Sequence, residues 1–264
     1  MDKILITILG ILFIFLMTTL GAALVFVMKK KMTLNFKRIF LGFAAGVMMA
    51  ASIWSLLIPA LDEIKNHGNE KNSWLILSIG FLAGVIFLLI IDLIIPHLHV
   101  DEDKPEGIHS NFKRTTLLAL AVTIHNIPEG LAVGFAFGLA LVDGSSALLA
   151  AAIGLAIGIG LQNFPEGAAI SLPLKEEGFS TRKAFLYGMG SGVVEPIFAI
   201  IGVFLAAQLT FIMPWFLAFA AGAMVYVIVE ELIPEAHLGE HSHAGTLGFM
   251  AGFIIMMILD IAFG

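Results

Sequence analysis

Apolar residues fall along this chain in long unbroken runs divided by short polar stretches, without the strict alternation that marks half-buried strands. Eight runs reach the roughly 20 residues needed to cross a hydrocarbon core of about 30 Å: about 4–28, 39–61, 74–96, 115–141, 146–173, 184–208, 211–235 and 246–263. Inside such a core backbone groups find no water, so each run is predicted to be a helix that satisfies them internally. The expected fold class is an all-α integral membrane protein of eight transmembrane helices, forming one transmembrane domain over 1–264. The first run, Ile4 to Met28, exceeds the apolar core of a secretory signal and is followed by three lysines, so it reads as a span.

The pattern repeats within the chain. Gly80 to Asp92 reads GFLAGVIFLLIID and Gly248 to Asp260 reads GFMAGFIIMMILD, matching glycines, alanine and aspartate without a gap. Ala44 to Pro59 (AAGVMMAASIWSLLIP) echoes Ala220 to Pro234 (AAGAMVYVIVEELIP), which is one residue shorter. HNIPEGLAVG, residues 125–134, is answered by QNFPEGAAIS, residues 162–171. Spans 2 and 3 thus pair with spans 7 and 8, and span 4 with span 5. Each pair joins an odd to an even span, so its members cross in opposite directions. The result is an inverted 3+2+3 repeat, a pattern that marks secondary transporters.

Composition agrees with the spans: 59% of residues are hydrophobic and only 13% charged, against about a quarter charged in soluble domains. The mean hydropathy is +1.00 and the net charge −6, which offers lipid a partner and nucleic acid none. Eleven of the 14 Lys and Arg residues lie in the loops after spans 1, 3 and 5; Lys3, Lys65 and Lys71 lie on the other side. Positive loops stay in the cytoplasm, so both termini are expected to face away from it. With no cysteine, disulfides and thiolate metal sites are excluded.

Seven acids fall within the spans: Asp92, Glu129, Glu166, Glu195, Glu230, Glu231 and Asp260. A charge at the bilayer centre costs about 2.5–3.5 kcal/mol on insertion scales, so such residues meet a partner or a water-filled path. Spans 4 and 5 hold no Lys or Arg, and none follows Lys183. The acids are therefore protonated, or a cation reaches them from outside. His125 and Glu129 are four apart, as are Gln162 and Glu166, so each pair shares a helix face, and Asn126 and Asn163 add amide oxygens three residues before each acid. Pro128 and Pro165 lack an N–H and release the carbonyls of Ile124 and Leu161. One imidazole with carboxylates and amide oxygens suits zinc, iron or manganese.

Glu195, in SGVVEPI, and Glu230 with Glu231, before Pro234, repeat the theme of an acid near a proline. Adjacent helical residues lie about 100° apart, so one of Glu230 and Glu231 faces the site; Glu231 is the expected ligand. Met48 and Met49 are expected to pack. Asp92 and Asp260, at matching repeat positions near span ends, are expected in interfacial or capping roles as readily as in transport. His97, His99 and His109, and His237, His241 and His243, read as loose metal-binding tracts or solvated loops on the cytoplasmic side.

These features together resemble the ZIP (Zrt/Irt-like) family of divalent-metal transporters, over essentially the whole length. Short loops, and Gln162 where animal members commonly have histidine, make the chain similar to a bacterial member of the GufA-like branch. The resemblance implies a binuclear site at mid-membrane between spans 4, 5 and 6. Its first position would use His125, Glu129, Gln162 and Glu166, and its second Asn126, Glu129, Asn163, Glu166 and Glu195. Position 163 is aspartate in some relatives, so Asn163 removes a charge there. The resemblance further implies a homodimer in the bacterial inner membrane that carries zinc, or iron, manganese or cadmium, into the cytoplasm as cargo, with no resident cofactor.

A proton-coupled cation antiporter would also carry unpaired intramembrane acids. An intramembrane protease would need a HExxH zinc site or a GxGD aspartate, and neither motif occurs; no enzymatic activity is expected.

Overall fold

The structure, a computed structural model, describes residues 2–28, 33–66, 70–96, 114–236 and 242–263. Among the described residues there is no strand, and eight helices are long and apolar enough to cross a membrane. They are α1 Lys3–Val27, α2 Leu34–Lys65, α3 Glu70–Ile94, α4 Arg114–Asp143, α5 Ser146–Glu176, α6 Thr181–Gln208, α7 Met213–Ala236 and α8 Ala244–Phe263. Their order and number match the eight apolar runs, and polar caps set several ends. Thr33, Ser145 and Ser180 accept hydrogen bonds from first-turn N–H groups of α2, α5 and α6. Gly144, with φ of 76°, turns the chain sharply between α4 and α5.

Three departures from regular helix lie where the apolar pattern gave no sign. Ser52–Leu57 in α2 and Ile228–Leu232 in α7 are π-helical, closed by the five-residue bonds Ile58 N–H to Ile53 O and Ile233 N–H to Ile228 O. Each precedes a proline, Pro59 or Pro234, whose ring presses on the carbonyl four residues back and whose missing N–H leaves it without a helical donor. A widened turn at that point relieves the crowding. The third departure splits α6 into Thr181–Ser191 and Val194–Gln208. Pro128 and Pro165, by contrast, sit inside continuous α-helix.

Packing follows the sequence repeat. The closest partners are α2 with α8, α3 with α7, α1 with α5, and α4 with α6. Exchanging spans 2, 3, 4 and 1 for 7, 8, 5 and 6 maps this set onto itself. The match holds to the residue. A Cβ on Gly46 would strike the carbonyl oxygen of Phe249, and one on the matched Gly222 would strike that of Phe81. Gly84 stands against the carbonyl of Phe219, and its counterpart Gly252 against that of Phe43. Glycine-mediated close approach is how membrane helices gain packing contacts where lipid supplies no hydrophobic drive.

α4 is the most enclosed span, while α3 and α8 are the most open. Leu82, Leu89 and Leu93 on α3 and Ile254, Ile258 and Ile261 on α8 are exposed, as lipid-facing residues should be. Met48 is enclosed in the apolar core and Met49 packs against it. Phe135 of α4 stacks on Phe216 of α7, with ring centroids 5.1 Å apart. Two cavities open at opposite ends of the bundle. One, of about 440 Å³, is bordered by Ser55, Asp62, Glu63, Asp143 and Asp260. The other, of about 50 Å³, is bordered by His125, Glu166, Glu231 and Glu235.

Candidate metal centre

α4 and α5 carry the two repeated motifs at their middles, and all eight candidate residues, His125, Asn126, Glu129, Gln162, Asn163, Glu166, Glu195 and Glu231, are buried. Their three- and four-residue spacing on uninterrupted helix keeps each motif on one face. The motifs meet directly. Gln162 Nε2 donates to Glu129 Oε1, a short contact across the two helices, and also to Asn163 Oδ1 at 3.3 Å.

Glu195 comes from the break in α6. Val193 N–H bonds Gly190 O and Glu195 N–H bonds Gly192 O in three-residue turns, and the helix restarts with Glu195 in its first turn. Pro196 follows it within that turn, where no intrahelical donor is needed. The carboxylate is thereby placed at a helix N-terminus, where the backbone dipole favours negative charge. It receives three donors: Thr18 Oγ1 to Oε1 at 2.7 Å, Asn126 Nδ2 to Oε1 at 3.3 Å and Asn163 Nδ2 to Oε2 at 2.7 Å. Asn126 also donates to Ser191 O, on the other side of the break. The two repeat-related asparagines thus take one oxygen each of the same carboxylate.

His125 turns elsewhere. Its Nε2 pairs with Glu231 Oε1, brought inward by the π-helical turn of α7, while Glu230 is exposed. The first candidate position is therefore divided. His125 borders the small cavity with Glu231 and Glu166, while Glu129 is held by Gln162, which also bonds Asn163. Among the described residues no group of three or more His, Asp or Glu side chains stands at metal-binding separation. The donors converge as pairs and not as one ready-made cage.

What remains unpaired is informative. Among the described residues of the repeated motifs, four buried acceptor oxygens have no hydrogen-bond donor: Asn126 Oδ1, Glu129 Oε2, Gln162 Oε1 and Glu166 Oε2; outside the motifs, Asp260 Oδ2 has none either. Leaving such an atom unmet costs about 1–3 kcal/mol, and more when it is charged. All four are oxygen, and none carries a proton to give as amide oxygen or carboxylate. This set fits a cation.

Asp92 and Asp260 lie near the ends of α3 and α8, where interfacial, capping and transport roles all stood open. Both are buried, and each meets a hydroxyl on the span packed against it: Tyr226 of α7 for Asp92 and Ser55 of the π-helical turn of α2 for Asp260. His97, His99, His109, His237 and His241 lie outside the described residues; His243 is exposed ahead of α8. Thr18 had no place in the sequence reading. Its hydroxyl was visible there as a polar residue in an apolar run, but nothing in the run showed which neighbour it would meet.

Known proteins resemble this chain over much of its length. The family model for ZIP zinc transporters matches residues 99–260. The human protein named zinc transporter ZIP11 is 37% identical, covering 97% of this chain and 96% of its own length. Zinc transporter ZupT of Corynebacterium glutamicum is 36% identical over 96% of this chain and 97% of its own. Zinc transporter GufA of Myxococcus xanthus is 34% identical over 84% of this chain and 85% of its own. With the family model covering more than half of the residues and whole-length relatives above thirty per cent identity, this chain belongs to the ZIP zinc transporter family.

Proposed function

We propose that the protein carries zinc across a bacterial inner membrane into the cytoplasm, with iron, manganese and cadmium as further candidate cargo, and that it performs no covalent chemistry. The four donorless acceptor oxygens gathered in the repeated motifs carry this reading, because a divalent cation is the partner that acceptor-only groups in a membrane interior lack. The first position comprises His125, Glu129, Gln162 and Glu166, and the second Asn126, Glu129, Asn163, Glu166 and Glu195. Both acids at the centre of the motifs are shared, so they bridge two ions. Glu231 competes with metal for His125 and accepts the ion on release toward the small cavity. The larger cavity, with Asp62, Glu63, Asp143 and Asp260, concentrates cations at the opposite end. The chain works as one transmembrane domain with both termini outside, as a homodimer in the bilayer.

Uptake into proteoliposomes, measured separately for zinc, cadmium, iron and manganese, tests the reading. Glu129→Ala and Glu166→Ala are expected to cut zinc uptake at least about a hundredfold while the protein stays folded, since loss even of an outer-shell partner costs 10–100-fold. Near-normal zinc flux in both variants would overturn it.

A further inference from the structure

Thr18 lies in α1, outside both repeated motifs, and is fully buried. A hydroxyl has one proton to give. Two acceptors compete for it: the carbonyl of Ile14, at 3.4 Å one turn back, and Glu195 Oε1 at 2.7 Å. The shorter bond goes to the ionisable group, where hydrogen bonds are strongest. The surrounding backbone is built for this contact. A Cβ on Gly192 would lie 2.9 Å from Thr18 Cβ and Cγ2 and 3.0 Å from Glu195 Oε1, so α1 closes on the break in α6 because position 192 is glycine. The repeat says the same. Gly130 abuts the carbonyl of Glu195 and its counterpart Gly167 abuts the carbonyl of Thr18, so Thr18 stands in α1 where Glu195 stands in α6. An acid at both places would set carboxylate against carboxylate; a hydroxyl there gives the acid a donor.

We propose that Thr18 is a positioning residue of the metal centre: its hydroxyl holds the Glu195 carboxylate in the orientation that the second metal position requires. The proposal rests on the metal-centre reading above. Asn126 and Asn163 also hold Glu195, but each is a ligand candidate. An amide that turns its oxygen toward an ion withdraws its N–H from the carboxylate. Thr18 takes no part in ligation and keeps its bond whether the position is filled or not. Outer-shell donors of this kind fix ligand geometry and are worth 10–100-fold in metal affinity.

Zinc binding to the purified full-length protein, by calorimetry with metal analysis for stoichiometry, separates this from packing. The readout is the Glu195-dependent component, meaning whatever binding Glu195→Ala removes. Thr18→Val keeps the shape and loses the donor, and is expected to weaken that component about ten- to hundredfold. Thr18→Ser keeps the donor and loses a methyl, and is expected to stay within about threefold of the parent. In a Glu195→Ala background Thr18→Val should change nothing further. A packing role reverses the order, with valine harmless and serine damaging, and that order overturns the proposal. So does a Glu195→Ala variant that binds zinc like the parent. Glu166→Ala run alongside reports on the metal centre itself: unchanged binding there would sink the underlying reading, whereas lost binding there with normal Thr18→Val sinks only the role of Thr18.

Discussion

Asn163 shows how closely one side chain ties the site's resting state to its cargo. Its amide donates to Glu195 Oε2 at 2.7 Å, giving the buried carboxylate a donor in the absence of an ion. Asn163→Asp replaces that donor with a second carboxylate, so the ion-free protein should lose about 1–3 kcal/mol, the usual cost of a buried group left without its partner. With zinc present the added charge becomes a ligand, and ligand binding to the folded state raises apparent stability. Thermal unfolding in detergent should therefore show Asn163→Asp below the parent with zinc chelated and a larger zinc-induced rise than the parent. Equal rises in the two proteins would remove the second position from the proposal. Much of this site was legible beforehand, because i, i+3 and i, i+4 spacing fixes which residues share a helix face. The partners across helices were not: nothing in HNIPEG indicates that His125 turns to Glu231, or that Glu195 meets Thr18 from a span far away in sequence.

At the level of whole helices, hydrophobic run length located every span, since bilayer thickness dictates it. The π-helical turns and the split in α6 escaped because they leave the length of each apolar run intact and alter the hydrogen bonding within it. Prolines alone did not separate the cases: Pro59 and Pro234 follow widened turns, yet Pro128 and Pro165 sit in regular helix. The small-residue repeat was readable and proved to be a contact map. Gly46, Gly222, Gly84 and Gly252 each face a backbone oxygen that cannot swing aside as a side chain would. Alanine at any of them should destabilise by about 1–3 kcal/mol through overpacking, less the roughly 1 kcal/mol that alanine gains over glycine in a helix. Matched positions should fall together, Gly46 with Gly222 and Gly84 with Gly252. Gly190→Ala, which meets open space, should be neutral or stabilising. A melting series that found Gly46→Ala and Gly190→Ala alike would show that these close approaches are not what holds the repeats together.

For the whole molecule, the repeat divides the helices into two sets. α4 and α5 carry the motifs and pack against α6 and α1, while α2, α3, α7 and α8 carry the π-helical turns and the glycine contacts matched between them. The pairing of His125 with Glu231 joins the sets, at the inner wall of the small cavity. Which end of the bundle faces the cytoplasm then fixes the direction of flow. The proposed orientation rests on lysine and arginine placement, an energetic bias at insertion and not a feature of packing. A chain without native cysteine permits a clean test. Glu70, exposed at the start of α3, marks one end; Lys183, exposed at the start of α6, and His243, exposed before α8, mark the other. In intact cells a membrane-impermeant maleimide should label Glu70→Cys, and should label Lys183→Cys and His243→Cys only after permeabilisation. The reverse pattern would turn the molecule over, placing the acid-rimmed cavity on the cytoplasmic side and converting import into export. Opposite results at Lys183 and His243 would break the alternation of α6, α7 and α8 across the bilayer, and with it the inverted relation between the repeats.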